Sequence, residues 1–137
     1  LDAAIGQPRY GPNGRDVEAL IRRVEGLGPS EVRALAATPA AAALGPDPWP
    51  AGTTPEDDEA LRVSSVVAGR DVAAVLPEDG LDRATRARAR AVVTRVAHLL
   101  VLRHAFPRSE WDRLVAPWRS VLLGEPRRER TAVHRRR

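Results

Sequence analysis

The sequence predicts an all-α fold, a single small orthogonal bundle of four to five helices within residues 1–124, and three observations carry that prediction. Apolar residues recur at spacings of three and four in several segments, which places them on one face of a helix. Prolines and glycines punctuate those segments where helices would begin or end. The chain has 137 residues and no cysteine, enough length for one domain to bury a core without disulfide staples.

Residues 1–12 contain two prolines and two glycines without periodicity and are expected to form an irregular arm, pinned by Tyr10. From Asp16 the apolar residues Val17, Leu20, Ile21 and Val24 fall at i, i+3, i+4 and i+7, so a helix is expected over residues 16–26. Gly26 and Gly28 stop it. Ser30 is the expected cap of a second helix carrying Val32, Leu35 and Ala36, and Pro39 interrupts that helix because it lacks an amide and clashes with the preceding turn. Residues 40–44 then form a kinked continuation or a separate short turn. Residues 45–54, with Pro46, Pro48 and Pro50 around Trp49, are expected to be an extended connector.

Thr54, Pro55 and the carboxylates of residues 56–59 make a helix start, with a capping hydroxyl, proline at the first helical position and negative charge at the positive end of the dipole. The helix runs to residue 76. Its apolar residues Leu61, Val66, Val67, Val72, Val75 and Leu76 spread around the axis, which predicts a central element or a break near Gly69. A longer helix is expected over residues 81–104. Its first half alternates arginine with alanine and is solvated, whereas Val92, Val93, Val96, Leu99 and Leu100 make its second half core. After Pro107, Ser109 and Asp112 suggest a capping box for a last helix over residues 110–123, where Trp111, Leu114, Val115, Trp118 and Leu122 repeat the core spacing and Pro117 kinks or restarts it.

Charge is unevenly placed. All 22 basic side chains are arginine; residues 1–82 hold 7 of them against 14 carboxylates, and residues 83–137 hold 15 against 4. Such asymmetry invites self-pairing or an acidic partner. Residues 125–137, with six arginines and two glutamates, are too polar to bury a face and are expected to be a flexible tail. No stretch approaches the roughly 18 apolar residues of a membrane span. Without cysteine or a secretory pattern at its start, the chain is expected in the cytoplasm. The start at leucine suggests a trimmed chain or a fragment.

The stretch 105–124, with Trp111, Leu114 and the run Ala116-Pro117-Trp118-Arg119-Ser120-Val121, resembles the ending of uncharacterised actinobacterial alanine-rich helical proteins that carry a C-terminal Pro-Trp-Arg segment. The alanine- and arginine-rich helix before it extends the resemblance over residues 81–124. What the resemblance implies is helical structure; it supplies no mechanism.

The chemistry-bearing residues give no catalytic or metal-binding pattern. His98 and His104 lack the four-residue spacing that puts two ligands on one helical face. Ser64 and Ser65 have no nucleophile motif around them, the acidic run 56–59 points in several directions rather than into a calcium loop, and no cofactor is expected. The cationic stripe of Arg83, Arg86 and Arg90 is the best functional candidate, since at 100° per residue the three lie within about 60° of one another. It would serve an acidic protein partner, with Arg135, Arg136 and Arg137 assisting. Nucleic-acid binding through the same residues and the tail is the alternative, because guanidinium forks also suit phosphate. The plainer reading is a solvated face, or one paired internally with Asp57, Asp58, Glu59, Asp71 or Glu78.

Overall fold

The computed structural model describes residues 9–44 and 59–124. They are all-α: six α-helices, short 3-10 and π turns, and no strand among the described residues. The helices are α1 (Gly14–Glu25), α2 (Pro29–Ala37), α3 (Pro39–Ala42), α4 (Glu59–Ala74), α5 (Arg83–Val101) and α6 (Arg108–Val115). None of them is long and apolar enough to cross a membrane.

The expected core face of α1 is the observed one, with Val17, Leu20 and Val24 fully buried and Ile21 half-buried. The helix ends where the Gly26 amide donates to the carbonyls of Arg23 and Val24. The start of α2 differs from expectation. Pro29 occupies the first helical position, its fixed φ already suited to the helix, so the cap is Gly28 and Ser30 lies inside the first turn, exposed. The Glu31 carboxylate accepts the Gly28 amide at 2.9 Å. It thereby satisfies the amide of the cap residue itself.

Thr38 precedes proline, a position that disfavours helical ψ, and at ψ 144° it ends α2 and starts α3. Its hydroxyl oxygen accepts the Ala41 amide at 3.1 Å and the Trp118 indole N–H at 3.0 Å, and donates to the Leu35 carbonyl at 3.0 Å. Residues 39–42 are thus a separate short helix, tied to the far end of the chain.

The central element is α5. From Val96 to Leu102 every residue is buried, so this stretch is enclosed on all sides, against α1, α2 and α4 among others. The expectation that residues 55–76 would be central is corrected. Within α4 the buried face is Ser64, Ser65, Ala68, Gly69 and Val72, while Val63 and Val66 are about half exposed, at 51% and 52%. Small side chains let α4 lie close to α5, and Gly69 marks contact rather than a break: a Cβ there would stand 2.8 Å from His98 Nε2. The expected Thr54–Pro55 start of this helix and the 45–54 connector lie outside the described residues, as does the tail 125–137.

Of the expected arm 1–12, residues 1–8 lie outside the described residues, and Tyr10 is held in place. Tyr10 is buried, and its hydroxyl donates to Asp71 Oδ2 at 2.9 Å, beside the Arg9 Nε that donates to the same oxygen at 2.8 Å. Donation from Arg9 above all, assisted by Tyr10, holds the Asp71 carboxyl below its ordinary value against a partial desolvation. Asn13 donates through Nδ2 to the carbonyls of Leu100 and Val101, at 2.9 and 3.3 Å, serving the end of α5 where carbonyls have no partner within the helix.

At the C-terminal end, Trp111, Val115, Trp118 and Leu122 are all buried, as their spacing predicts. The single helix expected over 110–123 is instead α6 followed by a 3-10 turn (Ala116–Trp118) and a π turn (Arg119–Gly124). Pro117 sits in the 3-10 turn, where its missing amide costs nothing. Ser109 and Asp112 form no capping box, since α6 starts at Arg108 with no side-chain cap. Asp112 pairs with Arg119 at 2.8 Å.

Candidate functional site

The first half of α5 begins at Asp82, whose Oδ1 accepts the Thr85 amide at 2.9 Å. Hydrogen bonding to Thr85, from its side chain and its backbone, keeps the Asp82 carboxyl below the ordinary carboxylate value. From this start the helix presents an outward face of Arg83, Ala84, Ala87, Arg88, Arg90 and Ala91, all exposed, while Ala89 faces the core. The alanines have no length to screen the guanidinium groups that rise between them.

Arg83, Arg86 and Arg90 do come together. They line one shallow depression of about 390 Å3 with Glu78, Asp79 and Ala87. Their circumstances differ. Arg90 forms an ion pair with Glu78, and Arg86 donates through Nη1 to the Leu81 carbonyl at 2.7 Å. Arg83 makes no hydrogen bond or ion pair with another described residue. Internal pairing therefore occurs at Arg90, through Glu78; of the other carboxylates considered, Asp71 serves Arg9 and Tyr10 instead. The Arg90 pair is about half exposed on the arginine side, a setting in which ion pairs are worth about 0–1 kcal/mol and exchange readily for another anion. Asp57 and Asp58 lie outside the described residues, and so do Arg135, Arg136 and Arg137.

His98 is buried, at 3% exposure, between α5 and Gly69 of α4, and His104 is exposed in the turn after α5. The two are not brought together. No cluster of three or more His, Asp or Glu residues that could hold a metal ion occurs among the described residues. Ser65 is fully buried, and its Oγ has no hydrogen-bond partner among the described residues.

A second cleft, also about 390 Å3, lies at the other end of α5. Its wall is Trp111, whose Nε1–H donates to the Leu99 carbonyl at 2.9 Å. The Arg103 guanidinium stands 4.7 Å from the centre of the ring and that of Arg119 5.8 Å. Arg23 reaches the same cleft from α1, held by the carbonyls of Val121 at 2.7 Å and Ser120 at 3.1 Å. The sequence offers no local signal for this group, because Arg23, Arg103 and Arg119 belong to three elements and only the fold assembles them. Trp111 reads correctly as core from its spacing; its second use, as a face for cations, is invisible to periodicity. Comparison with protein-family models, curated proteins and solved structures finds no match for the chain.

Proposed function

We propose that this chain is a non-catalytic helical interaction module that presents Arg83, Arg86 and Arg90 to an acidic surface of another protein, with Arg135, Arg136 and Arg137 of the tail assisting. The single observation that carries the reading is the outward face of α5: arginines spaced by exposed alanines on a helix whose other half is locked into the core. A rigid helix holds the guanidinium groups at a fixed spacing, and their forked donors match carboxylates bidentately. Glu78 acts as a placeholder, an internal carboxylate on Arg90 that a partner's carboxylate replaces. A reducing cytoplasm is the setting this reading assumes, and kinship with the alanine-rich actinobacterial proteins that residues 81–124 resemble belongs to it.

The test is affinity capture from a nuclease-treated lysate of the cells that make the protein, with the full chain and with an Arg83→Glu/Arg90→Glu variant. Arg86 is left in place because its bond to the Leu81 carbonyl belongs to the start of α5. The expected result is a protein retained by the parent chain and lost from the variant, with the melting temperature of the variant unchanged to within a few degrees. Equal retention by both would refute the role of this face. Labelled duplex DNA, titrated in parallel at about 50 and 200 mM salt, separates the alternative: binding that falls steeply with salt and with the double substitution assigns the same arginines to phosphates instead.

A further inference from the structure

The cleft at Trp111 is built differently from the α5 face. The guanidinium groups of Arg103 and Arg119 stand over one aromatic ring and that of Arg23 lines the same cleft, with Asp16 as the only carboxylate lining it among the described residues. Two of them are fixed from behind. Arg23 is held by the two carbonyls of the C-terminal turn, and Arg119, only 24% exposed, by Asp112. The third, Arg103, lies over the ring and touches Asp16 at a long 3.4 Å, with both side chains nearly half exposed. That contact is loose and can open to admit a stronger anion.

The remaining lining is apolar: Leu123 of the terminal turn is half-buried, while Leu20, Leu100 and Leu122 are each 2% exposed or less. Anchored cations that need no further ordering on binding, beside an apolar wall, form a preorganised receptor for an amphipathic anion. Each anchored guanidinium keeps N–H donors beyond those its anchor uses. A group with three acceptor oxygens and about two negative charges matches three converging guanidiniums better than a carboxylate does.

We propose that this cleft binds a small organic phosphate, a phosphate monoester carrying a compact apolar body. The phosphoryl oxygens would engage Arg23, Arg103 and Arg119, displacing the Arg103–Asp16 contact, and the apolar body would lie against Leu123. The site stands about 20 Å along α5 from the Arg83–Arg90 face, counting 1.5 Å per residue from Arg86 to Leu100, and does not depend on it.

The experiment follows the indole N–H signal of Trp111 by two-dimensional NMR of the full chain, the signal being identified by its loss in Trp111→Phe. Phenyl phosphate is titrated to about 10 mM, with benzyl alcohol, benzoate and inorganic phosphate as comparisons. Expected is a saturating shift with a dissociation constant of about 1 mM or tighter. It should weaken at least about tenfold in Arg103→Gln, and stay within about twofold in Arg83→Glu/Arg90→Glu. Inorganic phosphate should bind more weakly than phenyl phosphate, and benzyl alcohol not measurably. Arg103→Gln alters an exposed side chain, so its fold can be verified from the unchanged signals of the other tryptophans; Arg119→Gln is the second variant. A response that does not saturate, equal binding by the Arg103 variant, or a stronger response to benzyl alcohol or benzoate would overturn the assignment.

Discussion

At Gly69 the distance between two helices is set by a missing atom. A Cβ at this position would lie 2.8 Å from His98 Nε2 and 3.0 Å from Thr94 Cγ2, closer than side chains approach, and His98 is enclosed, so the imidazole has little room to retreat. Gly69→Ala should destabilise the fold by about 1–3 kcal/mol, the ordinary cost of overpacking, read as a lower urea midpoint at unchanged slope. One helical turn earlier on the same face, Ser65 is the opposite case. Its hydroxyl is buried without a partner among the described residues, so replacing it by alanine removes a desolvated polar group while leaving only a small void. Ser65→Ala should therefore be neutral or stabilising by up to about 1 kcal/mol. A stable Gly69→Ala protein would mean that α4 and α5 can separate at little cost. Sequence periodicity could not distinguish these roles, since both residues read only as small; the presence of glycine suggested a break in the helix, whereas its use is a close approach.

Elements were legible where one residue's chemistry decides, and less so where neighbours compete. Val17, Leu20 and Val24 define α1 because three apolar side chains at helical spacing admit one burial direction. Helix starts were harder: Ser30 and Ser109 have capping side chains, yet Pro29 shifts one start upstream and α6 begins at Arg108, leaving both serines inside a first turn. The α4 helix appeared central from its many valines, but Val63 and Val66 point outward, and α5 holds the middle with a continuous buried run. The full role of Thr38 is not legible in the sequence, since one of its three hydrogen-bond partners, Trp118, lies 80 residues away. Its hydroxyl closes α2, caps α3 and receives the Trp118 indole, so the two helix ends and the C-terminal turn share one atom. Thr38→Val keeps the shape and deletes the hydroxyl, leaving the indole N–H of buried Trp118 and the Ala41 amide without their acceptor. A loss of about 2–3 kcal/mol in unfolding free energy is expected, with Thr38→Ser recovering most of it. If valine and serine behave alike, the hydroxyl contributes nothing and the α2–α3 corner is held by packing alone.

Among the described residues, contacts between the acidic first part and the basic second part include Glu78 with Arg90 and Asp16 with Arg103. Both contacts are partly exposed, so these two pairs contribute little to holding the fold. They leave arginine available at both ends of α5. A further link between early and late described segments is Arg23, which crosses from the last turn of α1 to the carbonyls of Ser120 and Val121, 97 and 98 residues away. Those carbonyls belong to the π turn 119–124 that ends the described chain, and the last carbonyls of a helical segment have no partner within it. A charged donor to carbonyl oxygens is worth about 1.5–3 kcal/mol when buried, and the exposure of Arg23 reduces this to about 1 kcal/mol. Arg23→Met preserves the aliphatic stem while removing the donors. The expected consequence is local: amides of residues 119–124 should exchange about five- to tenfold faster, while the core amides of α5, which open only with global unfolding, should change much less. If the terminal turn were stabilised by Trp118 and Leu122 alone, its exchange would not respond to Arg23→Met. A uniform acceleration throughout the chain would mean that this turn unfolds only with the core, so that Arg23 acts on the stability of the entire domain rather than on its closing segment.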